Sequence, residues 1–170
     1  MLILGIDPGT ATTGFGFINI VKGKPVSRGW GLIETNKENK TEVRLERIHK
    51  ETLKLLKIHK PDIFAIEKVF FATNAKTAIA VGQAIGVMLL AASKTGITVF
   101  EYAPGTIKKM VTGSGRASKK EVQVAVRKIM GNHVKSKKHK KTHFDNAADA
   151  LAVALTHARK EGLIKGGEEK

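Results

Sequence analysis

The chain opens with LILGID (2–7), an apolar run too short for a helix that ends on a carboxylate. GFGFINI (14–20) and RGWGLIET (28–35) follow it, again without helical period. Three glycine-punctuated runs in succession read as three strands of one sheet, with VKGKPV (21–26) as the turn between the second and third. A chain that starts with such a meander has to build its remainder around that sheet.

From Thr41 the pattern changes. Leu45, Ile48, Thr52, Leu55, Leu56 and His59 recur at three- and four-residue steps among Lys, Arg and Glu, which predicts an amphipathic helix stopped by Pro61. DIFAIEKVFF (62–71) reads as a buried strand, again ending in an acid, Glu67. Asn74 to Thr95 reads as a long apolar helix whose small residues Ala80, Gly82, Ala84 and Gly86 suit either a dimer seam or close packing within the chain. ITVFEY (97–102) makes a fifth strand. A short helix is expected beyond Pro104, then a glycine-rich loop, TGSGRAS, and a helix from Ser118 to Met130 that opens with a capping box of Ser118 and Glu121. GNHVKSKKHKKTH (131–143) reads as a basic loop and HFDNAADALAVAL (143–155) as the last helix. The expected fold is α/β: a five-stranded mixed sheet flanked by helices, one domain over 1–160 with a frayed tail over 161–170.

Charge narrows the partner. Thirty Lys and Arg against fifteen Asp and Glu give +15, far more than solubility requires, and nucleic acid is the leading polyanion. No stretch is expected to reach the roughly 18 apolar residues of a membrane span, and MLILGIDPG lacks the basic start and cleavage site of a signal peptide. A cytoplasmic protein without membrane partners is therefore expected. With no cysteine, disulfides and thiolate metal sites are excluded, so any metal is held by oxygen or imidazole.

Three acids stand in apolar surroundings: Asp7 after LILGI, Glu67 after FAI, and Asp149 one turn into the expected last helix. Any one of them reads by itself as a hydrogen-bonded cap. Together they read as a metal site, because clustered buried carboxylates are very costly unless cations neutralise them, and oxygen-only ligands suit Mg²⁺ or Mn²⁺. In a +15 protein the matching chemistry is two-metal phosphodiester hydrolysis. DPGTATTG (7–14) also fits the first phosphate loop of actin-like ATPases and sugar kinases, but those enzymes need two such domains and 170 residues hold one. Gly9 and Gly14 have a plainer reading as parts of a tight hairpin.

GIDPGTATTGFG, FAIEKVFFATNAKTAIAVGQAIGV, FEYAPGTIKK, GSGRASKKEVQ and AADALAVALTH, in that order from Leu2 to about His157, resemble the successive motifs of the RuvC family of Holliday-junction resolvases. The resemblance implies a ribonuclease H-like fold, a homodimer, Mg²⁺ dependence and symmetric nicking of two like strands at a four-way DNA junction, in recombination and repair. It also admits a branch-migration helicase complex as partner. By motif position Asp7, Glu67 and Asp149 match catalytic carboxylates, Phe70 a residue that stacks on bases at the crossover, and Lys119 a basic group near the scissile phosphate. The fourth metal position, three residues before Asp149, is usually Asp and sometimes His in this family; here it is Asn146. An amide keeps one oxygen ligand but loses the charge, so weaker metal binding and activity are expected. At about 100° per residue, Asp145 lies on the same side of a helix as Asp149 and offers a replacement, with His143 a further candidate.

The remaining candidates are DNA contacts. Lys135, Lys137, Lys138, Lys140 and Lys141 form a basic run before the acid-bearing helix, and each lysine engaged on phosphate should steepen the salt dependence of binding. Arg116, Lys119 and Lys120 surround a helix N-terminus behind a glycine-rich loop, a plausible anion site. Of Phe70 and Phe71, one belongs in the core and the other is free to stack on a base. Two rival functions stand beside the resolvase: a junction-binding protein that does not cut, favoured by Asn146, and a nuclease of the same fold acting on another branched nucleic acid.

Overall fold

A computed structural model describes residues 1–69, 74–131 and 141–164, with side chains in the last segment from residue 147 onward. The elements are β1 (Leu2–Asp7), β2 (Thr12–Val21), β3 (Lys24–Glu34), α1 (Thr41–His59), β4 (Ile63–Glu67), α2 (Ala75–Thr95), β5 (Thr98–Tyr102), α3 (Pro104–Thr112), α4 (Lys119–Met130) and α5 (Lys141–Lys160). The sheet runs β3-β2-β1-β4-β5. Its first three strands pair antiparallel, while β4 lies parallel to both β1 and β5.

Local chemistry accounts for the boundaries. The β2–β3 turn is shorter than VKGKPV: only Lys22 (φ 49°) and Gly23 (φ 72°) leave the strands, the two left-handed residues of a hairpin matched to strand twist. Pro25 and Val26 join β3. Helix α1 ends because Lys60 turns left-handed (φ 45°) ahead of Pro61, where a helical residue would clash with the proline ring. Asn74 caps α2 through its side chain, and Ser118 and Glu121 close the expected capping box on α4.

Strand alternation sorts the sheet residues between two cores. Leu4, Ile6, Phe17, Phe64 and Ile66 face α1 and α2 with Ile48, Leu56, Ala84 and Met88. Ile3, Ile18 and Ala65 face the other layer, where Leu151, Val153 and Leu155 of α5 meet Val122 and Val126 of α4 and Ile107 of α3. Period two therefore puts Gly5, Asp7, Ala65 and Glu67 all on the α5 side. Helix α5 lies very close to the sheet: a Cβ built on Gly5 would stand 2.1 Å from the Ala150 carbonyl oxygen and 2.9 Å from the Ala154 Cβ.

Three expectations change. Helix α5 begins at Lys141, inside the segment read as a basic loop, because Lys141, Thr142 and His143 include neither Gly nor Pro to stop it. Asp149 is thus two turns in, and Asp145 is an interior position rather than an N-terminal cap. Packing continues past residue 160, with Ile164 buried against the α5 core and Leu163 and Ile164 amides donating to the Ala158 carbonyl. Finally, α2 is long and apolar enough by length and composition to cross a membrane, contrary to expectation, with mean hydropathy 1.6 and only 28% of that stretch buried. Its covered side, Ala84, Ile85, Met88, Ala91 and Ala92, packs in the core, while Gly82 and Gly86 face outward.

Candidate active site

The parallel pairing of β1 with β4 brings Ile6 opposite Ile66, so Asp7 and Glu67 end adjacent strands side by side. Beyond Asp7 the chain turns back at once. The Thr13 hydroxyl donates to the Gly9 carbonyl (2.7 Å) and accepts from the Gly9 amide, and a Cβ on Gly9 would meet the Thr12 carbonyl oxygen at 2.3 Å. The glycine serves a closed hairpin, in agreement with its plainer reading.

Asp7 and Glu67 are hydrogen-bonded to each other. Burial, then the charge of Asp149, pushes Asp7 up to about 6, against the pull of Lys119 and of the bond from Glu67. Burial, then the charges of Asp7 and Asp149, pushes Glu67 up to about 7, with Lys108 acting the other way. The pair shares a proton that belongs to both. Asp149 reaches the same place from α5 and pairs its Oδ2 with Lys119 Nζ at 2.7 Å, its side chain 18% exposed.

Glu67, Asp149 and Lys119 line a cavity of about 190 Å³ together with Pro104, Ile107, Lys108, Val122 and Ala152. A larger groove, about 590 Å³, lies at the opposite end of the parallel strands beside Lys57, Lys60 and Lys94. Its one acid, Asp62, is engaged by the Leu2 amide at 2.7 Å, whereas the smaller cavity is lined by both Glu67 and Asp149. Among the described residues no three Asp, Glu or His side chains are drawn into a closed ligand cage. Asp149 is turned toward Lys119 instead.

Four predicted residues, Asp7, Glu67, Asp149 and Lys119, are thus brought together. Arg116 and Lys120 are exposed on either side of the Ser118 cap. Phe70, Phe71, Lys135, Lys137, Lys138 and Lys140 lie outside the described residues. Lys141, His143, Asp145 and Asn146 are described only as helical backbone; positions 145 and 146 precede Asp149 by four and three residues and so share its side of α5. Lys108 was missed. The signal was available: it follows Pro104, the first residue of α3, by four, and therefore shares the helix side that begins at the end of β5.

A pattern of the crossover junction endodeoxyribonuclease RuvC family matches residues 3–157. The chain is 44% identical over 157 residues to the crossover junction endodeoxyribonuclease RuvC of Syntrophomonas wolfei, spanning 92% of this chain and 88% of that one. To the Thermotoga maritima protein of the same name it is 45% identical over 169 residues, spanning 99% and 96%. Among solved structures, Thermus thermophilus RuvC in complex with Holliday junction substrate matches with a TM-score of 0.83 at 34% identity, covering 98% of this chain and 99% of that one. Yeast mitochondrial Holliday junction resolvase Ydc2, 13% identical, shares the fold at a TM-score of 0.68 over 95% of this chain and 79% of its own. The mixed five-stranded sheet is accordingly ribonuclease H-like. Matched along nearly its whole length by the family pattern and by these relatives, the chain belongs to the crossover junction endodeoxyribonuclease RuvC family.

Proposed function

We propose that this protein resolves four-way DNA junctions by nicking two like strands symmetrically, with Asp7, Glu67 and Asp149 as catalytic carboxylates and Lys119 beside the scissile phosphate. Family membership supports the reaction class, a divalent-metal-dependent endonuclease acting on crossover junctions. The Thermus thermophilus relative in complex with Holliday junction substrate supports junction DNA as the partner. The residue assignment is carried by one observation: three carboxylates from β1, β4 and α5 converge beside Lys119 and Lys108.

The donor set fits a hard divalent cation. It offers carboxylate oxygens only, and the like charges that raise Asp7 and Glu67 would be relieved by added positive charge. Asp7, Glu67 and Asp149, with position 146, would hold Mg²⁺, for which Mn²⁺ substitutes, as two ions. When bound, the metal supplies Lewis-acid activation of water and stabilisation of the leaving 3′ oxygen. The strand ends fix Asp7 and Glu67, and the shared proton must leave before both can act as ligands. Lys119 exchanges Asp149 for a phosphate oxygen, and Lys108 adds positive charge from the Glu67 side. Arg116 and Lys120, the basic run Lys135, Lys137, Lys138, Lys140 and Lys141, and the Phe70–Phe71 pair are proposed DNA contacts. The cytoplasm is the proposed compartment, and a branch-migration helicase remains part of the family resemblance.

Titrating Mg²⁺ or Mn²⁺ against a labelled four-way junction, beside a linear duplex of equal length, tests the proposal. Metal-dependent conversion of the junction alone into paired nicked duplexes is expected. Tight binding without cutting at any metal concentration would favour the junction-binding protein, and cutting of other branched substrates at equal rate the broader nuclease.

Symmetric nicking needs two sites related by a two-fold axis, and the uncovered face of α2 suits the isologous contact. Ile79 and Leu90 are 64% and 50% exposed there, and a Cβ on Gly82 or Gly86 would meet nothing within 4 Å. Ile79→Glu should shift the protein from dimer to monomer in sedimentation and turn paired nicking into isolated single nicks. A parent that sediments as a monomer with junction present would end this part of the proposal.

Position 146 yields a further prediction. If the amide weakens the site, Asn146→Asp should raise the cleavage rate about tenfold and lower the Mg²⁺ needed for half-maximal activity. If Asp145 supplies the charge, Asp145→Asn should be as damaging as Asp149→Asn, and Asn146→Asp should gain little because another like charge is repulsive. Position 145 lies inside α5, four residues before Asp149, so both variants have to be measured across a Mg²⁺ series.

A further inference from the structure

Helix α5 is almost entirely enclosed by apolar contacts. Ala147, Ala148, Ala150, Leu151, Ala152, Val153, Ala154 and Leu155 are all fully buried, against glycine, alanine and aliphatic side chains of the sheet, α3 and α4. Such surfaces fix how near a helix lies better than where it stops along its axis, because similar-sized apolar groups repack with small loss. Two polar contacts in the C-terminal half of α5 do define that stop. The Tyr102 hydroxyl and His157 Nδ1 lie 2.7 Å apart, with Tyr102 6% and His157 2% exposed. The Arg159 guanidinium donates to the Met110 and Val111 carbonyls at the end of α3.

The first contact is placed to matter for chemistry. Tyr102 ends β5 as the register partner of Glu67, and its carbonyl accepts from the Lys68 amide at 2.8 Å. His157 stands on α5 two turns beyond Asp149, which keeps it on a similar side of the helix. Burial raises Tyr102 to about 12 and lowers His157, so both are neutral at neutral pH and a neutral hydrogen bond joins phenol and imidazole, its direction set by the imidazole tautomer. Phe100 packs on the His157 ring at 4.5 Å between centroids, Lys160 Nζ lies 5.7 Å from the Tyr102 ring centroid, and Glu161 faces the pair.

We propose that the Tyr102–His157 hydrogen bond is a positioning contact: it sets the axial register of α5 against β5 and thereby places Asp149 opposite Asp7 and Glu67. This rests on reading those acids as the metal site, and the test separates the two. Tyr102→Phe keeps the ring and removes the hydroxyl. In metal-free protein it should move the ¹³C resonance of the Asp149 side-chain carboxyl. With metal, it should weaken Mn²⁺ binding and slow single-turnover cleavage about tenfold each, at unchanged junction affinity. His157→Gln, whose amide oxygen can accept from the phenol, should recover most of the rate, whereas His157→Leu should not. Ile48→Val, in the opposite core, controls for stability loss alone and should leave rate and resonance unaltered. A Tyr102→Phe protein with the parent's Asp149 resonance, Mn²⁺ affinity and rate would overturn the proposal. A parent that neither binds Mn²⁺ nor cleaves would defeat the metal-site reading, and the Asp149 resonance would still decide the positioning contact.

Discussion

Asp7→Asn, Glu67→Gln and Asp149→Asn are each expected to slow junction cleavage by at least about a thousandfold, roughly 4 kcal/mol of transition-state stabilisation, with binding in Ca²⁺ nearly unchanged. The first two should also raise the melting temperature of the metal-free protein. Folding lifts Asp7 from 3.8 to about 6 and Glu67 from 4.5 to about 7, so the folded state keeps protons that the unfolded chain has released. Stability therefore falls as pH rises from about 4 to about 7 and is level above that, the reverse of the usual carboxylate behaviour. An amide at either position removes part of that loss and should raise the melting temperature by about 5 °C near pH 7.5. Melting curves in EDTA from pH 5 to 8 would check this. A parent whose stability climbs steadily to pH 7, or an amide variant that nicks at the parent's rate, would remove that acid from the cluster.

Gly5→Ala should be the most disruptive single methyl group in the sheet. The added Cβ would stand 2.1 Å from the Ala150 carbonyl oxygen and 2.7 Å from the Ala154 amide nitrogen, both backbone atoms that no rotamer change can move. Either α5 lifts off the sheet or β1 bends. We expect a stability loss of about 3 kcal/mol or more in urea unfolding, with cleavage lost as Asp149 withdraws from Asp7. Gly105→Ala is the control, since nothing lies within 4 Å of its built Cβ, and it should change stability by less than about 1 kcal/mol. Equal stability in the two variants would show that α5 rides less tightly on the sheet than the structure implies.

Much of this was legible in the residues. LILGID and IFAIE read as strands that each end on an acid, and Ser118 with Glu121 marked a helix start that the capping box occupies; the parallel pairing then set Asp7 and Glu67 side by side. What resisted reading depended on tertiary partners. Nothing in TYR-free stretches of the last helix announces that His157 meets Tyr102, because the contact spans 55 positions. Lys108 was overlooked although its place four residues after Pro104 was readable, and its nearness to Glu67 came with the fold of α3. The start of α5 was misjudged because Lys141 and Thr142 were assigned to the loop, although neither is a Gly or Pro that would stop a helix. The uncovered apolar side of α2 was seen as small residues, and only the fold showed which of them face outward.

The three carboxylates come from the first strand, the fourth strand and the last helix, and α5 packs against β1, β2, β3 and β4 at once. A nascent chain emerging from the ribosome therefore displays Asp7 and Glu67 long before Asp149 exists. The same holds when a finished molecule frays: if α5 undocks, the site loses an acid and the sheet loses its cover together. Cutting competence thus requires the last helix to be made and docked, since without it the chain carries only two of the three acids. For an enzyme that breaks chromosomes when misdirected, the order of its elements acts as an assembly interlock, leaving half-made or half-melted copies unable to nick DNA.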